Sequence, residues 1–240
     1  MKGLFVTGTD TEIGKSYVST AIVCNLVAEG YKVAGMKPIG TGGKRESNSG
    51  CILNDDAELL MSASNLRLQR DDISLYSYLP PTSPHIAASE DNDFIDLKRI
   101  CATYCEIEQQ SDYVIVEGVG GWSVPLNETE TVEDLAVTLA LPVLLVVGVK
   151  LGCINHALLT RDAILRSGVQ VAGWVANIME PDLYAKEKVV DTLQKHIEFS
   201  FWGEVPFYFG TTNYTLPSPV QNNLLTYASS VTKRQPSSFL

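Results

Sequence analysis

The sequence predicts an α/β protein: a doubly wound, mainly parallel sheet flanked by helices, in one domain over residues 1–230 with a polar tail at 231–240. Three observations carry this. Short β-branched runs alternate with longer segments of helical period. The central runs, Val114-Ile115-Val116 and Val143-Leu144-Leu145-Val146-Val147, are apolar at successive positions, so both of their faces are expected to be buried. No repeat, low-complexity tract or Pro/Ser-rich linker divides the chain before its end, and 240 residues fit one full-sized domain.

In chain order, Leu4–Thr7, Lys32–Met36, Tyr113–Val116, Val143–Val147, Val169–Val175 and Phe199–Gly203 read as strands. Between them, Ser16–Glu29, Asp93–Gln110, Ile154–Ser167 and Asp182–His196 read as helices. Such alternation builds right-handed crossovers and a sheet covered on both sides. Ligands of these sheets bind beyond the carboxyl ends of the strands.

Directly after the first strand comes Gly8-Thr9-Asp10-Thr11-Glu12-Ile13-Gly14-Lys15-Ser16, which opens the first helix. Backbone N–H groups of such a loop, added to the positive end of the helix, make an anion site. The Lys15 ammonium reaches the outer phosphates of a nucleotide and the Ser16 hydroxyl ligates Mg²⁺. The sheet is therefore expected to be of the P-loop NTPase type. Five residues rather than the usual four separate Gly8 from Gly14. A glycine-rich turn with its lysine in solvent is the bland alternative, and it leaves the placement between strand and helix unexplained. The loop lacks the extra lysine near its beginning that marks partition-type ATPases.

Mg²⁺ takes hard oxygens, usually one or two carboxylates besides phosphate and water. Glu117 ends the buried run Tyr113–Val116, and Gly118, Gly120 and Gly121 follow it, allowing close backbone approach. A strand-end glutamate facing only water would not need those glycines. Asp55 and Asp56 open a short helix, where either can be a cap rather than a metal ligand. The strand Lys32–Met36 delivers Lys37-Pro38 to the same sheet edge, followed by Ile39-Gly40-Thr41-Gly42-Gly43. Lys37 can join Lys15 in neutralising charge during phosphoryl transfer, or stand solvated beside a flexible loop. Pro80–His85 is a rigid turn first and a substrate wall second. Gly152-Cys153-Ile154-Asn155 begins a helix and is a further candidate anion site. His85, His156 and His196 are too scattered for zinc, and no Ser/His/Asp or Cys/His arrangement is visible.

Composition excludes other classes. With 18 Lys+Arg against 28 Asp+Glu the net charge is -10, which argues against a broad nucleic-acid surface. The uncharged, mostly apolar run Leu135–Val149 carries Thr138 and Pro142 and is shorter than the ~20 apolar residues that cross a bilayer. The start MKGLFVTGTD has neither the continuous apolar stretch nor the cleavage site of a signal peptide. The five cysteines are odd in number and lack C-x-x-C spacing, and Cys101 and Cys105, one helical turn apart, suit packing. The sequons at Asn127 and Asn213 thus have no secretory context. The expectation is a reduced, cytoplasmic protein with neither nucleic-acid nor membrane partner.

Together these residues resemble the dethiobiotin synthetase family. The matching pieces are VTGTDTEIGKS at 6–16, GMKPIGTG at 35–42, PTSPHIA at 81–87, VEGVGGW at 116–122, LPVLLVVGVKLGCINHALLT at 141–160 and GWVANI at 173–178. They keep the family's order, and the five-residue spacing in the loop is the family's own. The resemblance implies an ATP- and Mg²⁺-dependent ligase that joins CO₂ to 7,8-diaminononanoate and closes a cyclic urea. The products are dethiobiotin, ADP and phosphate, reached through a carbamate and a carbamic-phosphoric anhydride. No side chain need form a covalent bond, so positioning and charge neutralisation carry catalysis.

By the same resemblance, Lys15 and Lys37 grip phosphate and carbamate oxygens, while Glu12 and Thr41 meet the diamine. Glu12, Ile13, Gly14, Lys15, Ser16 and Tyr17 wrap the nucleotide, and Ser16, Asp56 and Glu117 hold Mg²⁺. Gly118, Val119 and Gly120 line the nucleotide; Asn177 and Ile178 meet adenine, flanked by Pro206, Phe207 and Tyr208. The carboxylate tail of the substrate sits at Gly152, Cys153, Ile154 and Asn155 of the other subunit, so the active site depends on a homodimer. This chain departs from the pattern in three places. Ser16 stands where Thr is more familiar, Ile178 where an acidic residue often stands, and Gly43–Leu53 is long and unusual. After about Pro206 little resemblance remains. The rival readings are a partition-type regulatory ATPase and a relative that ligates or amidates another acid. The retained LGCINHALLT segment, which concerns the substrate's tail rather than ATP, opposes the latter.

Overall fold

The computed structural model describes residues 3–47, 50–207 and 214–232. Tyr208 and residues 233–240 of the expected tail lie outside the described residues. The chain opens with β1 (Gly3–Gly8), α1 (Lys15–Ala28), β2 (Val33–Met36), β3 (Ile39–Gly40), β4 (Lys44–Arg45) and β5 (Ile52–Leu53). There follow α2 (Asp55–Ala63), α3 (Arg70–Ile73), β6 (Tyr76–Ser77), α4 (Pro84–Glu90), α5 (Leu97–Glu108) and β7 (Tyr113–Glu117). The rest comprises α6 (Val132–Leu139), β8 (Val143–Val149), α7 (Cys153–Ser167), β9 (Val171–Ile178), α8 (Lys186–His196), β10 (Phe201–Val205) and α9 (Ser218–Thr232).

Six strands form one sheet in the order β10-β9-β8-β1-β7-β2. Every pairing within it is parallel. From β1 the chain crosses to β2 at one edge, returns to β7 beside β1, then passes to β8 on the other side and steps outward to β9 and β10. The loop after β1 therefore lies where the crossovers change direction and a crevice opens. Successive side chains point to opposite faces. Leu4, Val6, Leu144, Val146 and Val175 face one core, with α1 and with Val220, Leu224 and Ala228 of α9. Phe5, Val114, Val116, Leu145, Val147 and Trp174 face the other, covered by α5, α6, α7 and α8. Two buried faces explain why β7 and β8 are apolar at consecutive positions. Among the described residues, no helix is long and apolar enough to cross a membrane.

Several boundaries differ from expectation. The helix expected from Asp93 begins at Leu97, because the Asp96 side chain accepts from the Lys98 N–H and caps it. The helix expected from Asp182 begins at Lys186, after Ala185 takes a left-handed conformation (φ 53°). The strands expected at Val169 and Phe199 begin at Val171 and Phe201 and run on to Ile178 and Val205. Their pairing aligns Val205 with Asn177, and hydrogen bonding to the neighbour carries the strands past the apolar run. The helix at Asp55 is capped by Asn54, whose Oδ1 accepts from the Ala57 N–H, so neither aspartate is the cap. Helix α9 is not expected from the sequence. Its core-facing residues recur only every fourth position, too narrow a stripe to show among polar neighbours.

Candidate active site

Gly14 lies in the left-handed region (φ 81°), where a Cβ would come within 2.1 Å of Asn177 Nδ2. The loop is thus closed against β9, and the Asn177 amide donates to the Ile13 carbonyl at 2.8 Å. Gly14→Ala is expected to cost about 1–2 kcal/mol of backbone strain and to push this contact apart. Thermal melting and nucleotide calorimetry should both report the loss.

Lys15 is buried, and its ammonium donates to the Asp10 carbonyl at 2.8 Å. Burial, followed by repulsion from Lys37, lowers its pKa to about 8 against the pull of Glu117, Asp56 and Asp10. The Asp10 carboxylate in turn accepts from the Thr11 N–H at 2.8 Å and pairs with Lys150 at 3.2 Å.

The second cluster is a product of strand register. β2 and β7 align Met36 with Val116, so Lys37 and Glu117 leave the sheet side by side. The Lys37 ammonium donates to Glu117 Oε1 at 2.6 Å and to the Gly118 carbonyl at 2.9 Å, and lies 3.3 Å from Asp56 Oδ2. Burial disfavours its charge, but Glu117 and then Asp56 outweigh burial and hold its pKa above the ordinary value. Burial likewise opposes ionisation of Asp56, while Lys37 and the Ser16 hydroxyl more than compensate and lower its pKa. Asp55, one residue earlier, turns outward to Lys44 at 2.7 Å, an exposed pair. The helical step between adjacent residues thus separates the two aspartates.

Ser16 Oγ donates to Glu117 Oε1 at 2.8 Å, while Glu117 Oε2 is buried without a hydrogen-bond partner. A buried carboxylate oxygen left free beside a hydroxyl and a second carboxylate is what a hard cation requires. Ser16, Asp56 and Glu117 can therefore hold Mg²⁺, with phosphate and water completing its shell.

These groups border a cavity of about 780 Å³ that also takes in Glu12, Ile13, Thr41, Val119 and Gly120. The turn Pro81–Pro84 forms part of its wall, as does Asn54. Asn54 escaped the sequence reading, although an Asn ahead of Asp55, Asp56 and Glu58 in a helix's first turn is a capping signal. A second cavity, of about 500 Å³, is lined by Ile178, Pro206 and Phe207 with Pro181, Lys186, Glu204 and Pro217. Tyr17 packs against Tyr214, ring centroids 5.5 Å apart, and borders neither cavity. Gly118 supplies its carbonyl to Lys37. Gly152–Asn155 start α7, with Gly152 left-handed at φ 87°, and border neither cavity either. The Lys150–Asp10 pair nevertheless ties the entry of α7 to the phosphate loop.

A family model described as an AAA domain matches residues 2–214. The ATP-dependent dethiobiotin synthetase BioD of Nitrosospira multiformis is 43% identical over 206 residues, 86% of this chain and 88% of that protein. BioD 1 of Escherichia coli K12 is 42% identical over 206 residues, covering 86% of this chain and 91% of that protein. Among solved structures, the MinC:MinD cell division complex of Aquifex aeolicus superposes with a TM-score of 0.56 at 14% identity, over 100% of this chain and 99% of that one. A ParA family ATPase from Chlorobium tepidum gives 0.52 at 12% identity, over 98% and 94%. At such identities the structural neighbours share the fold alone, a P-loop NTPase sheet. The identity to the synthetases, by contrast, extends over most of both chains, and the chain belongs to the ATP-dependent dethiobiotin synthetase family.

Proposed function

We infer that this chain is an ATP-dependent dethiobiotin synthetase, a ligase of biotin synthesis that joins CO₂ to 7,8-diaminononanoate. The observation that carries the mechanism is the convergence of Lys15, Lys37, Ser16, Asp56 and Glu117 on one cavity at the carboxyl edge of the sheet. An amine of the substrate adds to CO₂ and loses a proton, giving a carbamate. A carbamate oxygen attacks the γ-phosphorus, ADP leaves, and the neighbouring amine then attacks the activated carbonyl and expels phosphate. Each step moves negative charge among oxygens, so fixed cations are what the protein must supply. Lys15 binds the triphosphate and Lys37 the oxygens shared by carbamate and γ-phosphate. Glu12 and Thr41, on the wall of the same cavity, hold the diamine end.

Mg²⁺ on Ser16, Asp56 and Glu117 neutralises triphosphate charge when bound. The nucleotide base enters the cavity lined by Ile178, Pro206 and Phe207, at the end of the strand that carries Asn177. The residues work within a single domain in the cytoplasm, as a homodimer whose α7 start receives the substrate's carboxylate from the partner's site. Asn155→Asp is accordingly expected to weaken diamine binding by about tenfold or more, through like-charge opposition. An unchanged diamine Kd in calorimetry would leave that helix start a structural feature only. The reaction itself is tested by phosphate release with and without diaminononanoate and bicarbonate. Release that depends on both supports the ligase; turnover indifferent to the diamine would favour the regulatory ATPase reading instead.

A further inference from the structure

The Lys37 ammonium occupies an unexpected position for a group meant to meet substrate. It is buried, and its three partners are Glu117 Oε1, the Gly118 carbonyl and Asp56 Oδ2. Two of these belong to the carboxylates that form the divalent-cation site. The other oxygen of Glu117, Oε2, is buried without a hydrogen-bond partner. Two carboxylates brought this close, one of them fully buried, need a neutralising positive charge, since like charges in a poorly solvated site repel strongly. The Lys37 ammonium, in contact with both, supplies positive charge there.

We propose that Lys37 serves as a built-in stand-in for the divalent cation: its ammonium holds Glu117 and Asp56 together in the nucleotide-free protein and is released toward the cavity when a divalent cation neutralises them. This builds on the proposed function by adding an order of events to the same site. Lys37 is kept off the substrate until the metal carboxylates are otherwise satisfied, and only then becomes available to carbamate and phosphate oxygens. Site assembly and positioning of the lysine are thereby one event. The flexible four-carbon stem of lysine suits such a swing, where a planar guanidinium would not.

The stand-in predicts direct competition between the ammonium and a divalent cation, measurable without substrate or turnover. Mn²⁺ is titrated into the nucleotide-free protein and free Mn²⁺ is read by electron paramagnetic resonance. Lys37→Met, which keeps the stem and removes the charge, is expected to bind Mn²⁺ about tenfold or more tightly than wild type, and to gain thermal stability with Mn²⁺ where wild type gains little. Lys37→Arg, still charged, is expected to bind Mn²⁺ as weakly as wild type. Equal or weaker Mn²⁺ binding by Lys37→Met would overturn the proposal. Should Lys37→Met fail to fold in metal-free buffer, refolding on addition of Mn²⁺ is expected, and failure to refold would equally overturn it. Because no diamine or ATP enters this experiment, its outcome stands apart from that of the phosphate-release assay.

Discussion

Lys37→Gln is expected to lower turnover by about 10²–10³, the loss typical of removing one transition-state donor, with nucleotide affinity largely kept. The reason is the placement of the charge. Lys15 sits in the loop that opens α1, whereas Lys37 leaves β2 beside Glu117, and both line the same cavity. The same substitution weakens the fold. It leaves Glu117, fully buried, near Asp56 without the ammonium that touches both, and breaking a buried pair from one side costs roughly 3–5 kcal/mol. A glutamine amide can still donate to Gly118 O or Glu117, which places the expected cost toward the lower end. Single-turnover phosphate release, measured well below the melting temperature, separates the two effects. Wild-type turnover in a folded Lys37→Gln protein would remove Lys37 from the mechanism.

Trp174→Ala is expected to destabilise by about 3–5 kcal/mol, the range for truncating a buried aromatic. For a chain of this size that lowers the melting temperature by roughly 6–20 °C. Trp174 is fully buried in β9, its ring 4.5 Å from that of Phe201 in β10. β9 is paired on both sides, with β8 and β10, which restrains its backbone from collapsing into the space. The consequence reaches the site, since the same strand carries Asn177, whose amide donates to the loop carbonyl of Ile13. The indole N–H is buried without a partner, so Trp174→Phe, which deletes that donor, is expected to cost far less than alanine. Equal melting temperatures for wild type and Trp174→Ala would show that the strand repacks freely.

The glycine-rich loop and Glu117 stand out in the chain because each sits at a junction that sequence marks locally, whereas Lys37 reads equally as a solvated lysine. A glycine-rich stretch between a strand and a helix, and an acid closing an apolar run, need no partner to be recognised. Asp56 was not separable from Asp55 on the same grounds. Both occupy the first turn of α2, and only the direction each side chain takes from the helix distinguishes them, one to Lys37 and the other to Lys44. Helix α9 lacked a local mark of comparable strength, its three core residues spread over a polar surface.

The order of strands and helices, the burial of both sheet faces and the anion-binding loop follow from hydrophobic period and glycine placement, which act over a few residues and are written into the chain directly. The tertiary structure alone decided which charges meet. The β2–β7 register sets Lys37 against Glu117, the rotation of α2 brings in Asp56, and closure of the Asn177 end of β9 over Gly14 shapes the loop. Contacts between residues 80 positions apart depend on how the strands are paired, and no local pattern encodes that pairing.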